Sequence, residues 1–105
     1  MEELKPISVE QVKEDLDQGK EFILLDVRTK EEYEEGHIEG AINIPLKDLA
    51  YEVENEIPDK DEVIYLYCRS GVRVLTAGQI LYDLGYNQVY NMGGIISWPY
   101  EIVRD

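Results

Sequence analysis

Two runs of apolar residues, Phe22-Ile23-Leu24-Leu25-Asp26-Val27 and Glu62-Val63-Ile64-Tyr65-Leu66-Tyr67, constrain the fold of this chain more than any other feature. A strand with one wet face alternates apolar and polar side chains, whereas a strand buried on both faces does not. Both runs therefore read as interior strands of a sheet covered above and below. Helix signals fall between and around them. Ser8-Val9-Glu10-Gln11 has the spacing of a capping box and opens a helix with Val12 and Leu16 on one face, ended by Gly19. Thr29-Lys30-Glu31-Glu32 is a second box, opening a short helix through Tyr33 and Glu35 that stops at Gly36. Ala41 to Ile44 is a short strand ended by Pro45, and Leu46, Leu49, Ala50 and Val53 then recur at helical spacing. Val74, Ala77, Gly78, Leu81 and Leu84 mark one face of a further helix, closed by Gly85. Gln88 to Met92 is another strand, and Gly93-Gly94 turns the chain into a last short helix around Trp98. Strand and helix alternating with short connections predicts an α/β fold: about five strands in a mostly parallel sheet, helices on both faces. At 105 residues the chain is one domain, residues 1–105, with no linker or repeat to divide it.

Charge narrows the function. The net charge is −13 and the sequence pI near 4.3, so a nucleic acid or an anionic membrane surface is a poor partner. The imbalance is uneven: residues 1–62 hold 20 acids against 7 bases, and residues 63–105 hold 3 of each. Any anion chemistry belongs in the second part. No apolar run has the length of a membrane span, and the acidic start Met1-Glu2-Glu3-Leu4 lacks a signal-peptide core, which predicts a cytoplasmic chain. One cysteine and one histidine leave no intrachain disulfide and too few ligands for a zinc site, and no cofactor is implied.

In such sheets, ligands bind beyond the carboxyl ends of the strands. Cys68 stands at such an end, in Tyr67-Cys68-Arg69-Ser70-Gly71-Val72-Arg73, between the most strand-like run and the helix that follows. A helix N-terminus presents unpaired N–H groups and partial positive charge. Gly71 lets those donors curl around one point, and Arg69 and Arg73 add two permanent charges. The place favours negative charge, and the thiolate is the nucleophilic form of cysteine. A single cysteine at a strand end is often an inert small hydrophobe. Two arginines and a glycine within five positions are an odd setting for one.

These residues resemble the active-site loop of the rhodanese (thiosulfate sulfurtransferase) family in its single-domain form. Leu25-Asp26-Val27-Arg28 resembles the strand-end Asp-x-Arg of that family, Tyr33 to Pro45 its first signature, and Gly85-Tyr86 with Val89, Gly93-Gly94-Ile95 and Trp98 its C-terminal signature. The resemblance implies a rhodanese-like fold and a sulfurtransferase. Cys68 would attack the outer sulfur of thiosulfate or a persulfide donor and hold it as a persulfide. A thiophilic acceptor (cyanide, a thiol or a sulfur carrier) would then take it. Backbone N–H groups of residues 69–73, including Ser70, Gly71 and Val72, would cradle the persulfide. Arg69 and Arg73 would bind the sulfonate end of the donor. Val74 departs from the Ser frequent after this loop, which removes a hydroxyl near it, and Glu39 stands where many relatives have Pro.

Asp26 and Arg28 read as a supporting ion pair beneath the site. His37 reads as a hydrogen-bonded turn residue rather than a general base, since persulfide exchange needs little proton transfer. Trp98 reads as core or pocket rim, and Glu31, Glu32, Glu34 and Glu35 as a solvated helix face. A tyrosine-phosphatase loop would place an arginine six positions after the cysteine, where this chain has Val74. The other alternative is a persulfide carrier that hands sulfur to a partner protein without efficient turnover.

Overall fold

A computed structural model describes residues 4–104, so the start at Met1–Glu3 lies outside the described residues. Five strands run β1 (Lys5–Pro6), β2 (Ile23–Asp26), β3 (Ile42–Asn43), β4 (Ile64–Cys68) and β5 (Val89–Gly94). Four α-helices are interleaved: α1 (Val9–Asp17), α2 (Lys30–Glu35), α3 (Leu49–Glu56) and α4 (Arg73–Asp83). The strands form one sheet in the order β1-β5-β4-β2-β3, with every neighbouring pair parallel. No helix among the described residues is long and apolar enough to cross a membrane.

Residues of β4 are buried throughout and divide by parity between two cores. Ile64, Leu66 and Cys68 pack with Leu25 and Val27 of the β2 segment, Leu49 and Val53 of α3, and Val74, Ala77 and Leu81 of α4. Tyr65 and Tyr67 point the other way, into a cluster with Leu24, Val12 of α1, Ile38 and Trp98. That two-sided burial is why the run carries no polar alternation.

The helix starts follow their caps. Thr29 and Glu32 form a complete box: the Thr29 Oγ1 accepts from the Glu32 N–H at 3.2 Å, and the Glu32 carboxylate accepts from the Thr29 N–H at 3.0 Å. At α1 only half the box exists. Ser8 accepts from the Gln11 N–H at 3.0 Å, but the Gln11 amide donates instead to Asp15 at 2.9 Å. Asp15 is buried and also accepts from the Tyr65 hydroxyl at 2.6 Å, a partner that offers the Gln11 amide a fixed acceptor.

Three local expectations change. Gly93-Gly94 is not a turn but the end of β5, lying opposite Tyr67 and Cys68 after a bulge that skips Met92. The Gly93 φ of +94° accommodates the irregularity. Lys5–Pro6 forms an edge strand on β5, too short and exposed to leave a periodic signature. Ala50 is exposed, because the segment from Leu46 begins as a 3-10 turn, Leu46–Asp48, before α3.

Candidate active site

Cys68 ends β4 and is 1% exposed. Its Sγ accepts a hydrogen bond from the Gly71 N–H at 3.1 Å, so the loop curls back on the sulfur within three residues. Gly71 has φ +98°, a conformation that a side chain would strain. The helix α4 starts beyond Val72, which supplies no side-chain cap, leaving first-turn N–H groups without a capping oxygen.

The loop rests on β5. A Cβ added at Gly94 would lie 2.3 Å from the Arg69 carbonyl oxygen and 2.7 Å from the Ser70 Cα. The Ile96 N–H donates to the same Arg69 carbonyl at 3.2 Å. The glycine pair therefore serves as the floor on which the Cys68 loop is laid. Val74, at the departure from the family pattern, is fully buried among core residues.

The two loop arginines differ. Arg73 makes a bidentate pair with Glu32 of α2, Nη1 to Oε1 at 2.7 Å and Nη2 to Oε2 at 3.0 Å. Arg69 is exposed, with no ion pair among the described residues, and borders a cleft of about 400 Å³ with Arg28, Glu32, Gly36, Trp98 and Ile102. Arg73 borders a larger cleft of about 910 Å³, walled by Thr29, Tyr33, Asn43 and Leu46. The two loop arginines thus border different depressions. Ser70 and Val72 are exposed on the loop.

Asp26 and Arg28 are brought together beneath. Both are buried, with Nη2 2.6 Å from Oδ2 and Nε 3.0 Å from each carboxylate oxygen. Arg28 also donates to the Gly36 carbonyl at 2.8 Å, and its guanidinium lies 5.5 Å from the Tyr67 ring centre. Asn43 donates to the carbonyls of Asp26 and Arg28 at 3.1 and 3.0 Å. These contacts hold the β2–α2 connection, and with it Glu32, in place. The Tyr67 hydroxyl accepts from the Ile38 N–H, and burial pushes its phenol pKa up. His37 stacks on Tyr33 with ring centres 3.7 Å apart, and its Nδ1 lies 2.7 Å from the Tyr33 carbonyl oxygen. Trp98 is buried and also borders the smaller cleft. Among the described residues no three His, Cys, Asp or Glu side chains converge as metal ligands.

Sequence reasoning missed Glu32 as part of this site. Its local signal, the capping box, explained it fully, and its partner lies 41 residues away.

The Rhodanese-like domain family matches residues 8–99. The chain belongs to that family. It is 41% identical over 71 residues to the thiosulfate sulfurtransferase PspE of Escherichia coli, covering 68% of each chain. It is 37% identical over 93 residues to a sulfurtransferase of Allochromatium vinosum, covering 88% of this chain and 85% of that one. A solved structure described as a rhodanese with anions from E. coli superposes with a TM-score of 0.73 at 36% identity, over 79% of this chain and 98% of that one. Several relatives are named sulfurtransferases, and sulfur transfer is the general chemistry that the family brings to this site.

The Arg73–Glu32 pair gives this rhodanese domain a measurable acid signature. The hydrogen-bonded Arg73 guanidinium, against some opposing burial, lowers the Glu32 pKa from 4.5 to about 2. A carboxylate whose pKa is depressed on folding stabilises fully above its unfolded value and loses that contribution as pH falls through the folded one. The unfolding free energy of wild type should therefore exceed that of Glu32→Gln at pH 6, with the gap closing between pH 4.5 and about 2. Urea titrations across that range measure it. A pH-independent gap would mean that Glu32 is not paired in solution.

Proposed function

We propose that this domain is a thiosulfate sulfurtransferase that works through a persulfide on Cys68. The observation that carries the reading is the Gly71 N–H on the Cys68 sulfur, at 3.1 Å, within a loop laid on Gly94. A donor that turns toward the same N–H groups puts its outer sulfur beside Sγ. In the first step the Cys68 thiolate attacks that sulfur. The new S–S bond forms as the donor's own S–S bond breaks, and thiosulfate leaves as sulfite. The persulfide then carries negative charge at its outer sulfur, where Gly71 and its neighbours Ser70 and Val72 can donate. An acceptor (cyanide, a thiol or a sulfur-carrier protein) attacks the outer sulfur and releases the Cys68 thiolate. Arg69, exposed and with no ion pair among the described residues, would meet the sulfonate end of the donor. Arg73 contributes less free charge, because Glu32 faces its guanidinium. Asp26 and Arg28 act as positioning residues that hold the β2–α2 wall.

The covalent intermediate has a kinetic signature. Initial rates of thiocyanate formation, with thiosulfate varied at several cyanide concentrations, should give parallel double-reciprocal lines. Intersecting lines would require both substrates to be bound together and would remove the two-step mechanism. The exposed apolar side chains about the loop favour a second reading, a carrier that exchanges sulfur with partner proteins and turns over thiosulfate slowly.

A further inference from the structure

We propose that Glu32 sets the donor preference of this site, turning it from the thiosulfate dianion toward a cysteine persulfide presented on an apolar, cationic protein segment. The inference rests on the reading of Cys68 as the sulfur-accepting residue. Two independent observations lead to it.

The first is the distribution of charge. Three arginines stand about the loop: Arg28, Arg69 and Arg73. Arg28 is held by Asp26, and both fork nitrogens of Arg73 are held by Glu32. Only Arg69 is left to meet a dianion without a carboxylate partner among the described residues. Glu32 cannot easily swing aside, since its carboxylate also accepts from the Thr29 N–H at 3.0 Å and closes the cap of α2. Glu31 and Glu34 line the larger cleft and Glu35 the smaller. A doubly charged donor approaches past these carboxylates, whereas a persulfide carries at most one negative charge at its outer sulfur.

The second is the apolar rim. Among the described residues, four of the five large exposed apolar side chains, Val72, Leu75, Ile96 and Ile102, gather about the loop. Val72 is 70% exposed on the loop itself, and Leu75 follows on the first turn of α4. Ile96, 68% exposed, adjoins the loop through its N–H bond to Arg69. Ile102 borders the Arg69 cleft with Ile96. Thiosulfate gains nothing from such a rim, but a protein segment docked over the loop would bury it. The acids of α2 beside that rim select a cationic segment.

The step balances without an added oxidant or reductant. The Cys68 thiolate attacks the outer sulfur of R–S–SH. A Cys68 S–S bond forms, the donor S–S bond breaks, and the donor leaves as its thiolate, with the proton retained on the transferred sulfur.

The test uses two donors: thiosulfate, and a synthetic peptide with one cysteine persulfide flanked by leucine and lysine. Second-order constants for loading Cys68 are read by intact mass after rapid quenching. Wild type should load faster from the peptide. Glu32→Gln keeps the cap, because glutamine also closes a capping box. It should raise the thiosulfate-to-peptide ratio by about tenfold or more. The double variant Leu75→Ser, Ile96→Ser should move the ratio the same way, by slowing the peptide. A ratio unchanged within about twofold in Glu32→Gln would overturn the proposal while leaving Cys68 as the acceptor of sulfur. Failure of wild type to load from either donor would overturn both readings.

Discussion

Gly94→Ala is expected to reduce sulfur-transfer turnover by about a hundredfold or more, although it adds a single methyl group and changes no charge. The Gly94 φ of −120° is open to any residue, so backbone strain is not the reason. The obstacle is contact. The added Cβ would sit 2.3 Å from the Arg69 oxygen, 2.7 Å from the Ser70 Cα and 2.8 Å from the Arg69 carbonyl carbon. All three are backbone atoms, and none can yield without moving the loop that carries the Gly71 N–H to the sulfur. Displacement of reacting groups by about 1 Å costs on the order of a hundredfold in rate. Gly40→Ala is the informative comparison. Gly40 has φ +89° with nothing within 4 Å of an added Cβ, so that variant should lose about 1 kcal/mol of stability and keep its turnover. Steady-state assays with thermal unfolding of both variants separate the effects. Full turnover in Gly94→Ala would show that the loop does not rest on β5.

The second large effect is on stability. Asp26→Ala should destabilise the domain by about 3–5 kcal/mol, because it leaves the Arg28 guanidinium buried with the Gly36 carbonyl as its remaining hydrogen-bonded acceptor. The Arg28 N–H also loses its acceptor, the Asp26 Oδ1 at 2.9 Å. For a chain of this size, such a loss lowers Tm by roughly 10 °C or more. The double variant Asp26→Ala, Arg28→Met removes both charges and should recover a large part of the loss. Urea unfolding of wild type, single and double variants measures the coupling. A single-variant cost below about 1 kcal/mol would place the pair in the class of exposed ion pairs and contradict its burial.

The sheet was legible where burial on both faces forces an unbroken apolar run, as at Phe22–Val27 and Glu62–Tyr67. The helices were legible where a cap and a spaced apolar face agree, as at Thr29 and along Val74, Ala77 and Leu81. The edge strand at Lys5–Pro6 was not, because two exposed residues have no period. Gly93-Gly94 misled for a physical reason: glycine serves tight turns and close backbone approach equally well, and the sequence does not say which. The same limit applies to the site. Cys68, Gly71, Arg69 and Arg73 stand within six positions, so their convergence is local and visible. Glu32 meets Arg73 across 41 residues, and a residue already explained by its own helix cap gives no sign of a distant partner.

The central claim is that Cys68 takes up a sulfur atom from thiosulfate, and intact-mass spectrometry tests it most directly. The reduced protein is mixed with thiosulfate and weighed beside Cys68→Ala. The account predicts a gain of one sulfur atom on wild type that cyanide removes and that the variant never shows. A folded wild type with a reactive thiol and no gain from thiosulfate would contradict it.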